Sequence, residues 1–427
     1  MLDKKRSKRS GKLTALFAVC VVALGTTVYA TGWADTLGES FAAATFALSP
    51  NTVSFSRSAT TTDSDSNPPA KPVVKHLPTP VPLKAIYMTQ CVVGTPSFRD
   101  SVVKLIDDTE LNAVVIDIRD YSGGIAFPTD DPLLKDMISD KCGARDMKDF
   151  VEKLHEKGIY VIARITVFQN PYYTKLHPEE AVQKKGGGVW KDRKGLAFVD
   201  VGSKPYWETV VALGKASYEI GFDELNFDYI RYPSDGDMAS AVYIKRDGKT
   251  KQEMLEDFFK YLHDELRPTG AVLSADLFGM VTTNTDDLNI GQVLERTLPY
   301  FDYVAPMVYP SHYPTGFHGY TNVNANSYGI VHFSMSEAAR RAEATTTPVA
   351  SLAHTRIGTS TPALYSKPVY DRKKLRPWLQ DFDYPVDYTP AMVQEQIKAN
   401  IDSGLDSYMF WDPGNKYSSL RQVLLAE

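Results

Sequence analysis

Apolar and polar positions change rhythm along the chain. A basic start gives way to an apolar run from Leu13 to Ala30, and Ser/Thr/Pro-rich polar positions follow to about residue 83. From Lys84 onward short apolar runs alternate with stretches of helical spacing. The runs at 84–90, 112–119, 159–168, 222–230, 271–279, 303–309, 375–381 and 406–412 read as strands. Helical stretches fall near 98–109, 145–157, 204–220, 252–267, 285–298, 335–344, 389–403 and 417–426. In one of them Val393, Ile397 and Ile401 recur at helical spacing, and Thr389-Pro390 supplies a cap and a first turn. Strand–helix alternation predicts parallel strands with helical crossovers, and this number of units predicts an α/β (β/α)8 TIM barrel. A doubly wound open sheet is the alternative. No Gly-rich dinucleotide fingerprint follows the first strand, and Gly186-Gly187-Gly188 leads into Val-Trp-Lys as a turn.

The amino terminus reads as an address. Lys4, Lys5, Arg6, Lys8, Arg9 and Lys12 stand against one acid, Asp3, before the apolar run. That pattern predicts a signal peptide or an uncleaved signal-anchor helix over 1–34, with small residues Val28 and Ala30 suited to cleavage. The rest of the chain is then extracytoplasmic, either secreted or held at the membrane. Residues 49–67 hold ten Ser or Thr, and Pro68, Pro69, Pro72, Pro78, Pro80 and Pro82 follow. Such a stretch buries too little surface to offset its ordering entropy, so 35–83 is expected to be a linker and 84–427 the barrel domain.

Composition narrows the partners. The net charge is −5, from 47 Lys+Arg and 52 Asp+Glu, which argues against nucleic acid. Hydrophobic residues at 43 % exclude wholesale disorder. Three cysteines exclude a disulfide scaffold and a multi-cysteine metal module. Cys91 follows the first strand and Cys142 the second, on the same rim, so a disulfide between them is expected in an oxidising compartment. The eight His contain no HxxxH or HExxH pair, and Gly-x-Ser-x-Gly is absent, so neither a metal nor a serine triad is expected. Nothing in the sequence calls for a cofactor.

In a (β/α)8 barrel, chemistry sits where strands end. Side chains alternate in a strand. Glu224, Asn226 and Asp228 then face the axis from strand four, and Ser274 and Asp276 from strand five. Asp117 and Arg119 do so from strand two, and Arg164 from strand three. Buried charges need partners, and an internal salt-bridge network of these aspartates with Arg119, Arg164 and Arg231 is one reading. The other is a pair of carboxylates with separated protonation states, the equipment for cleaving a glycosidic bond. Asp228 is expected to be the ionised nucleophile or base because Arg231 follows it. Asp276, beside Leu277 and Phe278, is expected to be the acid. Tyr309 and His312 close strand six, Trp378 and Gln380 lie in strand seven, and Trp411 and Asp412 close strand eight. These are candidate substrate contacts, with His312 as a hydrogen-bond donor, and so are Asp117, Arg119, Arg164, Asn226 and Arg231 at the rim and the loop aromatics Tyr172, Tyr173 and Trp190.

The segment GFDELNFDYIRYPSDG (221–236) resembles the strand-four signature of a bacterial family described as glycosyl hydrolase domains. IDIRDYSGGIAFPTD (116–130), AVLSADLFGM (271–280), YVAPMVYPSHY (303–313), KLRPWLQDF (374–382) and LDSYMFWDPGNKY (405–417) look like its other signatures, in order. The resemblance covers about 84–426. It implies a TIM barrel that hydrolyses sugar polymers, with Asp228 and Asp276 at matching acidic positions. Residues 345–373 look like an insertion before strand seven. The expected function is a glycoside hydrolase acting on an envelope or extracellular polysaccharide. A non-catalytic carbohydrate-binding barrel and a transglycosylase are the alternatives.

Overall fold

A computed structural model describes residues 74–426. Eight parallel strands close into a barrel in the order β1-β8-β7-β6-β5-β4-β3-β2. They are β1 (Lys84–Met88), β2 (Ala113–Arg119), β3 (Tyr160–Thr166), β4 (Glu224–Asp228), β5 (Val272–Phe278), β6 (Tyr303–Met307), β7 (Trp378–Gln380) and β8 (Tyr408–Trp411). A helix follows each strand: α1 (Pro96–Asp107), α2 (Met147–Glu156), α3 (Lys204–Glu219), α4 (Lys251–Leu266), α5 (Leu294–Thr297), α6 (Ser327–Glu343), α7 (Pro390–Asp402) and α8 (Ser418–Leu424). This is the (β/α)8 barrel that the alternation predicts. The expected segment 1–34 and most of the expected linker lie outside the described residues. Among those residues no helix is long and apolar enough to cross a membrane.

The strands are apolar on both faces because each face meets a core. One buried cluster lies between strands and helices and includes Ile116, Ile118, Ile165, Leu225, Phe227, Leu273 and Leu277. A second fills the barrel, with Ala85, Tyr87, Val115, Ile162, Ala305, Trp378 and Met409. Parallel strands covered on both sides read as continuous apolar runs, which is why the sequence locates them. Capping fixes the helix starts. Thr389 Oγ1 accepts the Met392 N–H at 3.3 Å, with Pro390 in the first turn. Thr250 and Glu253 form a reciprocal capping box at α4.

Three expectations are corrected. The stretch 285–298 is helical only at Leu294–Thr297. Leu288, Asn289 and Gly291 take left-handed backbone there, and the chain turns before the helix begins. Helix α6 starts at Ser327, eight residues before the expected 335. Gly329 lies in its first turns, where a Cβ would stand 2.3 Å from Tyr320 Oη, so the glycine marks close packing rather than a loop. Residues 74–83, expected as linker, lie against the amino-terminal face of the barrel. The Leu77 N–H donates to Asp223 Oδ1 at 2.7 Å, the His76 ring stacks on Tyr218 at 3.8 Å, and Leu83 is fully buried. The insertion 345–373 forms a three-stranded antiparallel sheet from Thr346–Thr347, Thr355–Ile357 and Leu364–Ser366.

Candidate active site

Register places the polar side chains before any of them interacts. Arg164 of β3 pairs with Asn226 of β4, and Thr166 with Asp228. On the other side of β4, Asn226 pairs with Ser274 of β5 and Phe227 with Ala275. Asp228 and Asp276 are therefore the next residues on adjacent strands, about 4.8 Å apart at the backbone. Both point into the barrel at its carboxy-terminal end.

Arg164 reaches across this end. Its Nη1 donates to Asp117 Oδ1 at 2.8 Å, its Nη2 to Asp228 Oδ2, and its Nε lies 3.8 Å from Asp276 Oδ2. Tyr87 Oη donates to the other oxygen of Asp117 at 2.7 Å. One guanidinium thus faces three carboxylates. The aspartate side chains are only 1 to 5 % exposed, and that of Arg164 is 11 % exposed.

The unequal count of charges shapes protonation. Burial pushes the Asp276 carboxyl up to about 8, and the neighbouring Asp228 charge adds to that, against the pull of Arg164. Burial likewise raises Asp117 to about 6, opposed chiefly by Arg164. Asp276 Oδ1 accepts from Asn226 Nδ2 at 2.9 Å and from Trp378 Nε1 at 2.8 Å. With Oδ1 occupied by two donors, the proton of neutral Asp276 belongs on Oδ2. Asp228 Oδ1 accepts the Tyr229 N–H at 2.5 Å. Tyr229 adopts φ 51°, in the left-handed region uncommon for a bulky residue, so the chain turns sharply just after Asp228.

An aromatic wall borders the acids. Tyr309 stacks on Trp411 at 5.5 Å between ring centres, and Phe382 meets Trp411 edge-on at 5.0 Å. His312 continues the wall, 5.4 Å from Tyr309 and 6.1 Å from Tyr384. Burial drives the Tyr309 hydroxyl well above its ordinary range, and Asp276 and Asp228 act in the same direction, so the wall and the acids share one site.

The family model described as "Putative glycosyl hydrolase domain" matches residues 85–417. The chain belongs to this family. A hypothetical protein from Ruminiclostridium thermocellum is 30 % identical over 48 % of this chain and 98 % of its own, with a TM-score of 0.41. The PgaB glycoside hydrolase domain from Bordetella bronchiseptica is 14 % identical over 82 % of this chain and all of its own, with a TM-score of 0.53, a likeness of fold. An α-galactosidase from Thermus thermophilus is 12 % identical over 83 % of this chain and 63 % of its own, with a TM-score of 0.47. No curated protein matches in sequence.

Several predicted residues take other positions in this glycosyl hydrolase domain. Arg119 does not face the barrel axis. Register passes from Asp117↔Arg164 to Arg119↔Ile165, and this bulge turns Arg119 outward with Ile165. There its Nε donates to the Thr166 carbonyl at 2.9 Å, and the guanidinium lies over Tyr206 of α3. Arg231 is not the partner of Asp228; it lies between the Tyr229 and Phe278 rings and donates to the Tyr232 carbonyl at 3.0 Å. Trp378 is 1 % exposed, so it serves the site through its indole N–H rather than as a stacking face. Asp412 accepts the N–H groups of Gly414, Lys416 and Tyr417 and holds the turn after β8. Gln380, fully buried, bridges Ser311 and the Phe382 carbonyl. Trp190 and Tyr173 are packing residues, at 2 % and 5 % exposed. Sequence reasoning missed Tyr87, although it follows Ala85 on the inward face of β1, and it missed Phe382 and Tyr384, which lie beyond the strand that signals them. Cys91 and Cys142 are joined by a disulfide across the loops after β1 and β2, with Cα atoms 4.5 Å apart.

Proposed function

We propose that Asp228 and Asp276 are the catalytic pair with which this glycoside hydrolase cleaves a polysaccharide outside the cytoplasm. The observation that carries this reading is the placement of two acids at one level of adjacent strands, with Asp276 raised to about 8 beside Asp228. Asp276 Oδ2–H gives its proton to the glycosidic oxygen. Asp228 acts on the sugar from its own side, as nucleophile or as base toward water. As Asp276 loses its proton, the Asn226 and Trp378 donors on Oδ1 and Arg164 near Oδ2 stabilise the new charge without having to move. The exposed faces of the wall at Trp411 and Tyr384 pack against sugar rings. The setting follows from the basic and apolar amino terminus, and the Cys91–Cys142 disulfide supports an oxidising compartment.

A non-catalytic binding barrel is the second reading, and the ties of Arg164 to Asp117 and Asp228 favour it, because a structural network would make them too. The test is a polysaccharide panel treated with the parent, Asp228→Asn and Asp276→Asn. The hydrolase reading expects one polymer to be cleaved by the parent, with each variant slower by at least about 10²–10⁴-fold while folded. Near-parent turnover in either folded variant removes that residue from the pair, and binding without any cleavage supports the second reading.

A further inference from the structure

The loop after β6 carries a hydrogen-bond chain whose direction can be read atom by atom. Gln380 Nε2 donates to the Phe382 carbonyl at 2.9 Å. A backbone carbonyl only accepts, so this contact fixes the side-chain amide and leaves Oε1 facing Ser311. Ser311 Oγ stands 2.9 Å from that Oε1 and 2.9 Å from His312 Nδ1. Gln380 Oε1 cannot donate, so the single hydroxyl proton of Ser311 goes to it; otherwise two lone pairs would face each other at that distance. Ser311 Oγ is then an acceptor toward His312, and Nδ1 must carry a proton.

A neutral imidazole protonated on Nδ1 has a bare lone pair on Nε2. Burial holds His312 down at about 4, so the ring is neutral at ordinary pH. Among the described residues no protein group hydrogen-bonds Nε2, and the atom is not sealed from solvent. The ring stands in the aromatic wall, 5.4 Å from Tyr309 and 5.8 Å from Phe382. The ring that carries this acceptor therefore borders the surface on which a sugar ring would lie.

We propose that His312 is a specificity-determining residue that accepts, at Nε2, a hydrogen bond from a free hydroxyl of the sugar lying along the Trp411–Tyr309–Phe382 wall. This rests on the carbohydrate-binding half of the proposed function, not on cleavage, and reverses the donor role that the sequence suggests for His312. A sugar that is O-methylated or O-acylated at that hydroxyl offers only acceptors there, and the site rejects it. Ser311 and Gln380 are positioning residues that set the tautomer.

The test reads the tautomer apart from turnover. Two-bond ¹H–¹⁵N correlation spectra of the ¹⁵N-histidine-labelled full chain at pH 7, assigned with His312→Gln, are expected to show His312 protonated on Nδ1 alone. Ser311→Ala is expected to release it toward the Nε2-protonated form. Hexasaccharides of glucose, xylose, mannose and N-acetylglucosamine are then added to Asp276→Asn, where binding is observed without cleavage. At least one is expected to shift the His312 Nε2 resonance, and His312→Phe is expected to weaken that sugar's binding about three- to tenfold, the range of one neutral hydrogen bond. His312→Gln, which keeps an acceptor, should recover most of the loss. An Nε2-protonated or doubly protonated His312 in the parent overturns the proposal. So does the absence of any Nε2 shift with all four sugars, or unchanged binding in His312→Phe. Binding that shifts Nε2 with no turnover in the parent would sink the hydrolase reading and leave this inference standing.

Discussion

Strand β4 carries two buried carboxylates, Glu224 at its start and Asp228 at its end, in different company. Glu224 Oε1 accepts from Arg376 Nη2 at 2.5 Å, and its Oε2 accepts from Tyr160 Oη at 3.2 Å. Arg376 also lies over the Tyr303 ring at 3.6 Å, and both charged side chains are at most 1 % exposed. One anion meets one cation, and the residue 74–83 segment closes in beside them through Thr79, 3.0 Å from Tyr160 Oη. At the other end one arginine serves three aspartates, and at least one of these holds a proton near neutral pH. Buried pairs of this balanced kind can often be replaced by well-packed apolar residues without loss of stability. The unbalanced cluster keeps a proton in reserve, which is the property that acid catalysis needs. An inward-facing acid in a strand is therefore ambiguous until its counter-charges are counted.

The largest expected effect breaks the balanced end. Glu224→Gln leaves Arg376 buried without its anion and should cost about 3–5 kcal/mol in chemical denaturation. Glu224→Leu with Arg376→Met should recover most of that loss and retain turnover. A loss below about 1 kcal/mol for the single variant would mean that the pair does not hold the lower barrel. Next comes the rim. Replacing Cys91 and Cys142 by Ala should cost roughly 2–4 kcal/mol of stability, read by the same method. An unchanged denaturation midpoint would mean that the bond adds no constraint. The pH profile is a finer probe. With Asp276 as the proposed acid, only its protonated form turns over, so kcat/KM should fall about tenfold per pH unit above about 8. A flat profile to pH 10 would remove Asp276 as the acid. The smallest effect concerns the wall: Trp411→Ala should raise KM about three- to tenfold with little change in kcat, since a stacking face is worth about 0.5–1.5 kcal/mol.

The fold was legible where burial on both faces made the strands continuous, as in AVVIDIR and VLSADLF. The acids were legible because Asp228 and Asp276 interrupt such runs at their carboxy-terminal ends. What escaped depended on contacts between segments far apart in sequence. Ile118 sits in a bulge, and a single added residue reverses the face on which Arg119 emerges. Arg231 follows Asp228 by three residues, yet beyond the left-handed turn at Tyr229 it lies elsewhere, and Arg164 of the neighbouring strand takes the place expected for it. Trp378 read as a platform because aromatics at a sugar site suggest stacking, but its register opposite Met307 and Met409 turns the indole N–H onto Asp276. The 74–83 segment read as linker from its prolines, whereas Leu77, Thr79 and Leu83 each find a partner on the barrel.

The central claim is that Asp276 is held protonated at a cost to the fold because the reaction uses its proton. A folded-state value near 8 lies above the roughly 3.9 of an unfolded Asp, so the stability it contributes is present at low pH and lost as pH rises through about 8. Asn at this position keeps the acceptor oxygen and carries no charge to bury. Turnover and thermal midpoint of Asp276→Asn and of the parent, both measured at pH 6 and pH 9, test the claim directly. Turnover of the variant at pH 6 should be reduced by at least about 10²-fold, and its midpoint should gain on the parent's between pH 6 and pH 9. Near-parent turnover in the folded variant, or a midpoint that falls further behind the parent at pH 9, would contradict it.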